Sequence, residues 1–192
     1  DAVKASLCSP AFLYFESADA GVETLSPHAL ATRLSYFLWS TMPDDELRRL
    51  ADSGELLQRD VLRTQTRRLL ASPRADAFVE DFLDTWLNLR SLGDMPPDRA
   101  AFQKYYAHGL QGAMKRETQL FMRHLLDHDE SLLRFLDADF TFVNQPLADL
   151  YGLGEIGPPE QAHEFRRVTL TDRRRGGLLG QGSVLTVSAH GI

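Results

Sequence analysis

The chain has 192 residues, of which 43% are hydrophobic and 25% charged; that is enough length for a sizeable core and an ordinary globular composition, so a disordered chain is excluded as the default. A net charge of −6 argues against a general nucleic-acid or membrane-surface binder, because both need a basic face. Cys8 is the single cysteine, which rules out an intrachain disulfide and a thiolate metal cluster.

No run of about 18 apolar residues occurs, so no membrane span is read. The first residues hold no basic stretch followed by an apolar one, so no signal peptide is read either. Asp1 and the closing Ser188-Ala189-His190-Gly191-Ile192 have the character of interior cut points in a longer protein.

Residues 1–24 form an N-terminal segment ahead of the first clear helix. That helix opens at Leu25-Ser26-Pro27, with Ser26 placed to cap, Pro27 suited to the first helical position and Leu25 able to staple onto Leu30. Leu30, Leu34, Phe37 and Leu38 give it a buried face. Asp44-Asp45-Glu46 start a second helix, where acidic residues suit the dipole, and Ser53-Gly54 end it. A third carries Leu57, Val61, Leu62, Leu69 and Leu70. Ser72-Pro73 then introduce a fourth, with Phe78, Phe82, Trp86 and Leu89 along one side.

The loop Gly93-Asp94-Met95-Pro96-Pro97 precedes Asp98, which can cap a long helix over roughly 99–127 containing Phe102, Tyr106, Leu110, Met114, Phe121 and Leu125. The predicted fold is all-α: an antiparallel multi-helix bundle over 25–136 with a loop-rich region over 137–192. In that region Ser131–Leu136 reads as a short helix, Asp139–Asn144 as an extended or turn-like stretch, Pro146–Tyr151 as a helix ended by Gly152, and Phe165–Leu170 as a short strand. Gly176–Ser188 fits helix or strand, with helix preferred.

Few side chains suggest chemistry. His124 and His128 lie four apart on a helix, so both could face one metal ion. Leu125 stands where a zinc protease signature needs its glutamate, so no metal is predicted and the pair is read as two partly exposed histidines near a helix C-terminus. Glu117 falls within the apolar stripe of the long helix, and Arg33 sits similarly between Leu30 and Phe37. A charge on such a face needs a partner. The expected outcome is an internal ion pair of Glu117 with an arginine, Arg33 being the candidate, against the alternative of a catalytic carboxylate with raised pKa.

Arg173-Arg174-Arg175-Gly176-Gly177 and the glycines after it lack the ending of a phosphate-binding loop. Those glycines, with Gly109 and Gly112, are expected to serve turns and close packing. Asp139, Thr141 and Asn144 are conceivable calcium donors, but turn capping accounts for them better.

Four stretches, Ser9-Pro10-Ala11-Phe12-Leu13-Tyr14, Leu30–Trp39, Asp139-Phe140-Thr141-Phe142-Val143-Asn144 and Arg175–Thr186, resemble in order and spacing the large exported proteins of planctomycetes and related bacteria. Those proteins are built from domains of unknown function and are often fused to a c-type cytochrome. The resemblance spans nearly the whole chain and implies one helical domain followed by the truncated start of the next, where His190 replaces the asparagine of the family's turn. It implies export, to the periplasm or beyond, and haem c carried elsewhere in the parent protein, since Cys8 alone cannot form a Cys-x-x-Cys-His site.

The function expected from this reading is a non-catalytic helical scaffold or docking module, with no cofactor in these residues. Its partners would be other domains of the parent chain and a c-type cytochrome. Two alternatives stand beside it. One is part of an oxidoreductase or hydrolase with Glu117, His124 and Arg33 as catalytic candidates. The other is non-covalent haem or metal binding through His124, His128 or a methionine such as Met95.

Overall fold

Ser26 caps the first helix of the computed structural model, which describes residues 3–4, 8, 25–94, 98–171 and 175–189. Its hydroxyl accepts from the Ala29 N–H at 3.2 Å and opens α1 (Pro27–Trp39). The stretch Ser9–Tyr14, Met95, Arg173, Arg174 and His190 lie outside the described residues, as does most of the segment 1–24. The described residues are mostly helical, with only a small two-stranded antiparallel sheet among them. Contacts divide it between Ala75 and Asp76 into two compact units. That division falls inside the stretch read as one bundle over 25–136.

In the first unit, α1 packs with α2 (Asp45–Asp52) and α3 (Arg59–Leu70) around Leu38, Leu47, Leu50, Leu56 and Leu69, all buried. Three apolar faces close on one another because each carries its leucines at helical spacing. Trp39 is buried with them, and its indole N–H donates to the Leu69 carbonyl at 2.9 Å, which joins the end of α1 to the end of α3. Arg68 and Arg74 lie over its ring, 5.7 and 5.0 Å from the centroid.

Asp44 has two duties. It caps α2 by accepting from the Leu47 N–H at 3.0 Å, and it receives both terminal nitrogens of Arg68, at 2.7 and 3.1 Å. The Arg68 guanidinium, together with the cap, holds the Asp44 carboxyl below its ordinary value.

The second unit is arranged about its longest helix. Asp98 caps only a turn, with the Ala101 N–H donating to its carboxylate at 2.8 Å, and the helix expected over 99–127 is broken into two pieces. These are α5 (Gln103–Ala107) and α6 (Leu110–Asp127). Gly109 makes the break, with φ of +60° in the left-handed region. Among the described residues a Cβ on Gly109 or Gly112 would meet nothing within 4 Å, so neither glycine serves close packing there.

Helix α4 (Asp76–Trp86) lies against α6. The deepest residues of α4 are Val79 and Leu83, which join Leu89 and Met122 in the core. Of the residues read along one side of this helix, Leu89 is in that core, while Phe78, Phe82 and Trp86 form a half-exposed ladder beside it with ring centroids 5.6 and 5.3 Å apart.

Strand β1 (Phe140–Val143) pairs antiparallel with β2 (Arg166–Thr169), placing Thr141 opposite Val168. β1 packs on α6, so residues after 136 share a core with the long helix. Asn144 caps α7 (Gln145–Tyr151) by accepting from the Leu147 N–H at 3.2 Å, and Gly152 ends it at φ +70°. The final described stretch is helical, α8 (Gly182–Ser188), which also packs on α6.

Replacing Asp44 with Ala removes a helix cap and a two-pronged ion pair together. The expected cost is about 2 kcal/mol of stability in urea unfolding, with Asp44→Asn losing roughly half of that because an amide still caps. Equal loss in both variants would show that the cap contributes nothing.

Candidate functional site

The buried face of α6 runs through Leu110, Ala113, Met114, Glu117, Thr118, Phe121, Met122 and Leu125, a helical repeat with two polar residues at its centre. Glu117 and Thr118 are both 0% exposed. A carboxylate there has lost its water and needs donors from the protein.

Two elements supply them. The Thr141 hydroxyl, in β1, donates to Glu117 Oε1 at 2.5 Å. The Tyr151 hydroxyl, on the last residue of α7, donates to Oε2 at 2.6 Å and accepts from the Gly182 N–H at 2.8 Å. One carboxyl group therefore links α6, β1 and α7, and through Tyr151 it reaches the first residue of α8.

Thr118 repeats the pattern one residue on. Its hydroxyl donates to Gln181 Oε1 at 2.7 Å and lies 2.6 Å from Ser183 Oγ. A hydroxyl has one proton, so with that proton on Gln181 the Ser183 hydroxyl is the donor to Thr118.

Glycine at 182 is required by this approach. A Cβ there would sit 2.8 Å from the Tyr151 oxygen and 2.9 Å from Met114 Cγ. Gly177 combines φ of +67° with a Cβ position 2.5 Å from the Phe135 carbonyl oxygen. Gly177, Gly180 and Gly182 serve turns and close backbone contact, the role expected of this glycine-rich stretch.

Burial pushes Glu117 up from an ordinary carboxyl to about 7, against the lowering effect of Thr141, Tyr151, the field of Arg175 and the Gly182 N–H. Tyr151 is also raised, by burial and by the neighbouring Glu117 carboxylate, so it stays protonated and remains the donor. Arg175 stacks on Tyr151, its guanidinium carbon 4.3 Å from the ring centroid, and donates from Nη1 to the Gly180 carbonyl at 3.2 Å.

The expected Glu117–Arg33 ion pair is replaced by this arrangement. Arg33 lies on the exposed side of α1 in the first unit, whereas the groups that hold Glu117 all come from its own unit. The sequence pointed to the buried charge and missed three of its companions, Tyr151, Arg175 and Gly182. Thr141 was singled out only as a turn oxygen. Asp139 and Asn144 go elsewhere: Asp139 accepts from Arg134 at 3.2 Å, and Asn144 caps α7.

His124 and His128 do come together, with ring centroids 4.1 Å apart. His128 Nδ1 lies 2.9 Å from the His124 carbonyl oxygen, and His124 Nε2 lies 3.3 Å from Glu130 Oε1. The His124 ring meets Phe140 edge-on at 5.1 Å. Burial and the neighbouring His128 lower its pKa despite Glu130, favouring the neutral ring. Among the described residues no group of three or more His, Cys, Asp or Glu is placed to hold a metal ion. Among the same residues no helix is long and apolar enough to cross a membrane.

The folded chain binds the Glu117 proton more tightly than the unfolded chain, because its pKa is raised from 4.5 to about 7. This contribution is fully present below pH 4.5 and is lost as pH rises through 7, a fall on the order of 3 kcal/mol. The difference in unfolding free energy between wild type and Glu117→Gln should decline over that interval, since the amide does not titrate. A flat difference would mean that Glu117 titrates like an exposed carboxyl.

No curated protein and no solved structure matches the chain. A family model does match, over residues 25–153, which runs from α1 through α7 just past the Glu117–Thr141–Tyr151 contacts and covers well over half of the sequence. The chain therefore belongs to the PSD4 family, described as "Protein of unknown function (DUF1592)".

Proposed function

We propose that the chain is a non-catalytic helical module, a scaffold or docking surface within a larger exported protein associated with a c-type cytochrome. The observation that carries this reading is the state of Glu117. The strongest catalytic candidate has no exposed surface, and both its oxygens are taken by Thr141 and Tyr151. A general acid or base has to reach a substrate proton directly or through one water. Glu117 is instead committed to joining elements of the fold, and His124 packs between His128 and Phe140 rather than beside it.

A docking role is supported by the turn Leu132–Phe135, where Leu132, Leu133 and the following Leu136 are 69%, 73% and 68% exposed. Three leucines left in water within five residues form the kind of patch that a neighbouring protein surface covers. The resemblance to exported, cytochrome-bearing proteins favours another domain of the parent chain, or the cytochrome itself, as the occupant.

Two experiments test this. In the full-length parent protein, Glu117→Gln should lower the melting temperature while leaving any turnover per folded molecule unchanged. Lost turnover at an unchanged melting temperature would make Glu117 part of an oxidoreductase or hydrolase site. A photo-crosslinking residue at position 133 in the same protein should capture another of its domains or a bound cytochrome. A crosslink confined to solvent or to residues 76–189 would remove the docking role from this patch.

A further inference from the structure

Beside the Glu117 cluster, on the far side of Tyr151, the second unit forms a half-open cleft of about 830 Å³. This is within the size range of small-molecule sites, roughly 300–1,000 Å³. Its apolar wall is built by Leu110 and Met114 of α6, Leu150 of α7 and Leu185 of α8. Two cations stand on that wall, Lys104 and Arg175, and among the described residues that line it there is no carboxylate. In a chain of net charge −6, a mostly apolar hollow whose charged groups among the described residues are both positive is matched to an anion with a greasy body.

Arg175 is already held in place by its stacking on Tyr151 and its bond to the Gly180 carbonyl. A guanidinium carries five N–H donors in a fixed fork, so one bond to a carbonyl leaves others for a carboxylate. Tyr105, also on the wall, is 8% exposed, and its hydroxyl has no hydrogen-bond partner among the described residues. Buried hydroxyls in native folds nearly always have one.

We propose that this cavity binds a small amphiphile with one anionic head, of the medium- or long-chain carboxylate class, its head between Lys104 and Arg175 and its chain along Leu110, Met114 and Leu185. The site goes beyond the docking role and does not depend on it.

The test is calorimetric titration of the full chain with decanoate below its micellar concentration and, separately, with decanol. Decanoate should bind one to one and about tenfold more tightly than decanol, as expected for a charge-assisted head contact. Lys104→Gln, on an exposed side chain and so without risk to the fold, should weaken decanoate several-fold and leave decanol unchanged. Arg175→Gln should do the same more strongly. Absence of decanoate binding, equal affinity for acid and alcohol, or unchanged affinity in both variants would overturn the proposal. So would binding to phosphatidylglycerol vesicles without binding to monomeric decanoate, which would make the face a membrane contact.

Discussion

A carboxyl group placed on the buried face of a helix constrains everything packed against it. Water cannot reach Glu117, so each oxygen needs a donor, and each donor needs a backbone that delivers it within hydrogen-bond distance. Thr141 is delivered by β1, whose antiparallel partner β2 fixes its register. Tyr151 is delivered by α7, whose start is set by the Asn144 cap and whose end is set by Gly152. Gly182 then has to lack a side chain, because the Tyr151 oxygen occupies the space a Cβ would fill. Four segments far apart in sequence are tied to one functional group.

This network also accounts for the elevated pKa at the centre. Burial outweighs the hydrogen bonds and the field of Arg175, so Glu117 is poised to be protonated near neutrality while the hydroxyls around it remain donors or acceptors as needed. A perturbed carboxyl of this kind is often a sign of catalysis. Here the perturbation comes with complete enclosure, and structural networks perturb pKa values by the same physics. The first unit relies on a different device, a half-exposed pairing of Arg68 with Asp44 beside a buried Trp39, where the pKa moves the other way because the charge keeps its partner and some water.

Much of the fold was legible because its signals are local. Ser26, Asp44 and Asn144 cap the helices that follow them, and Gly152 ends one by taking a left-handed conformation that glycine permits. The strand within Phe165–Leu170 was also readable from composition, whereas 176–188 fitted helix or strand alike, and the preferred helix forms over Gly182–Ser188. Burial of Glu117 followed from its place in the apolar repeat of α6. Its partners did not, because Thr141, Tyr151 and Gly182 join it across long stretches of chain, and no periodicity within one element encodes such a meeting. The preference for Arg33 came from counting charges on helical faces, which cannot tell which faces belong to the same compact unit. Gly109 was read as a packing residue for a similar reason: its spacing matches a helix, and only its positive φ reveals the break.

The most direct measurement of the account is a double-mutant cycle between Glu117→Gln and Tyr151→Phe, with each protein unfolded in urea at pH 6. If the carboxyl and the phenol depend on each other as the 2.6 Å contact requires, the two losses will be non-additive by about 1–3 kcal/mol. Losses that simply sum would mean that Glu117 and Tyr151 contribute independently, and the buried carboxyl would no longer explain why α6, α7 and α8 meet where they do.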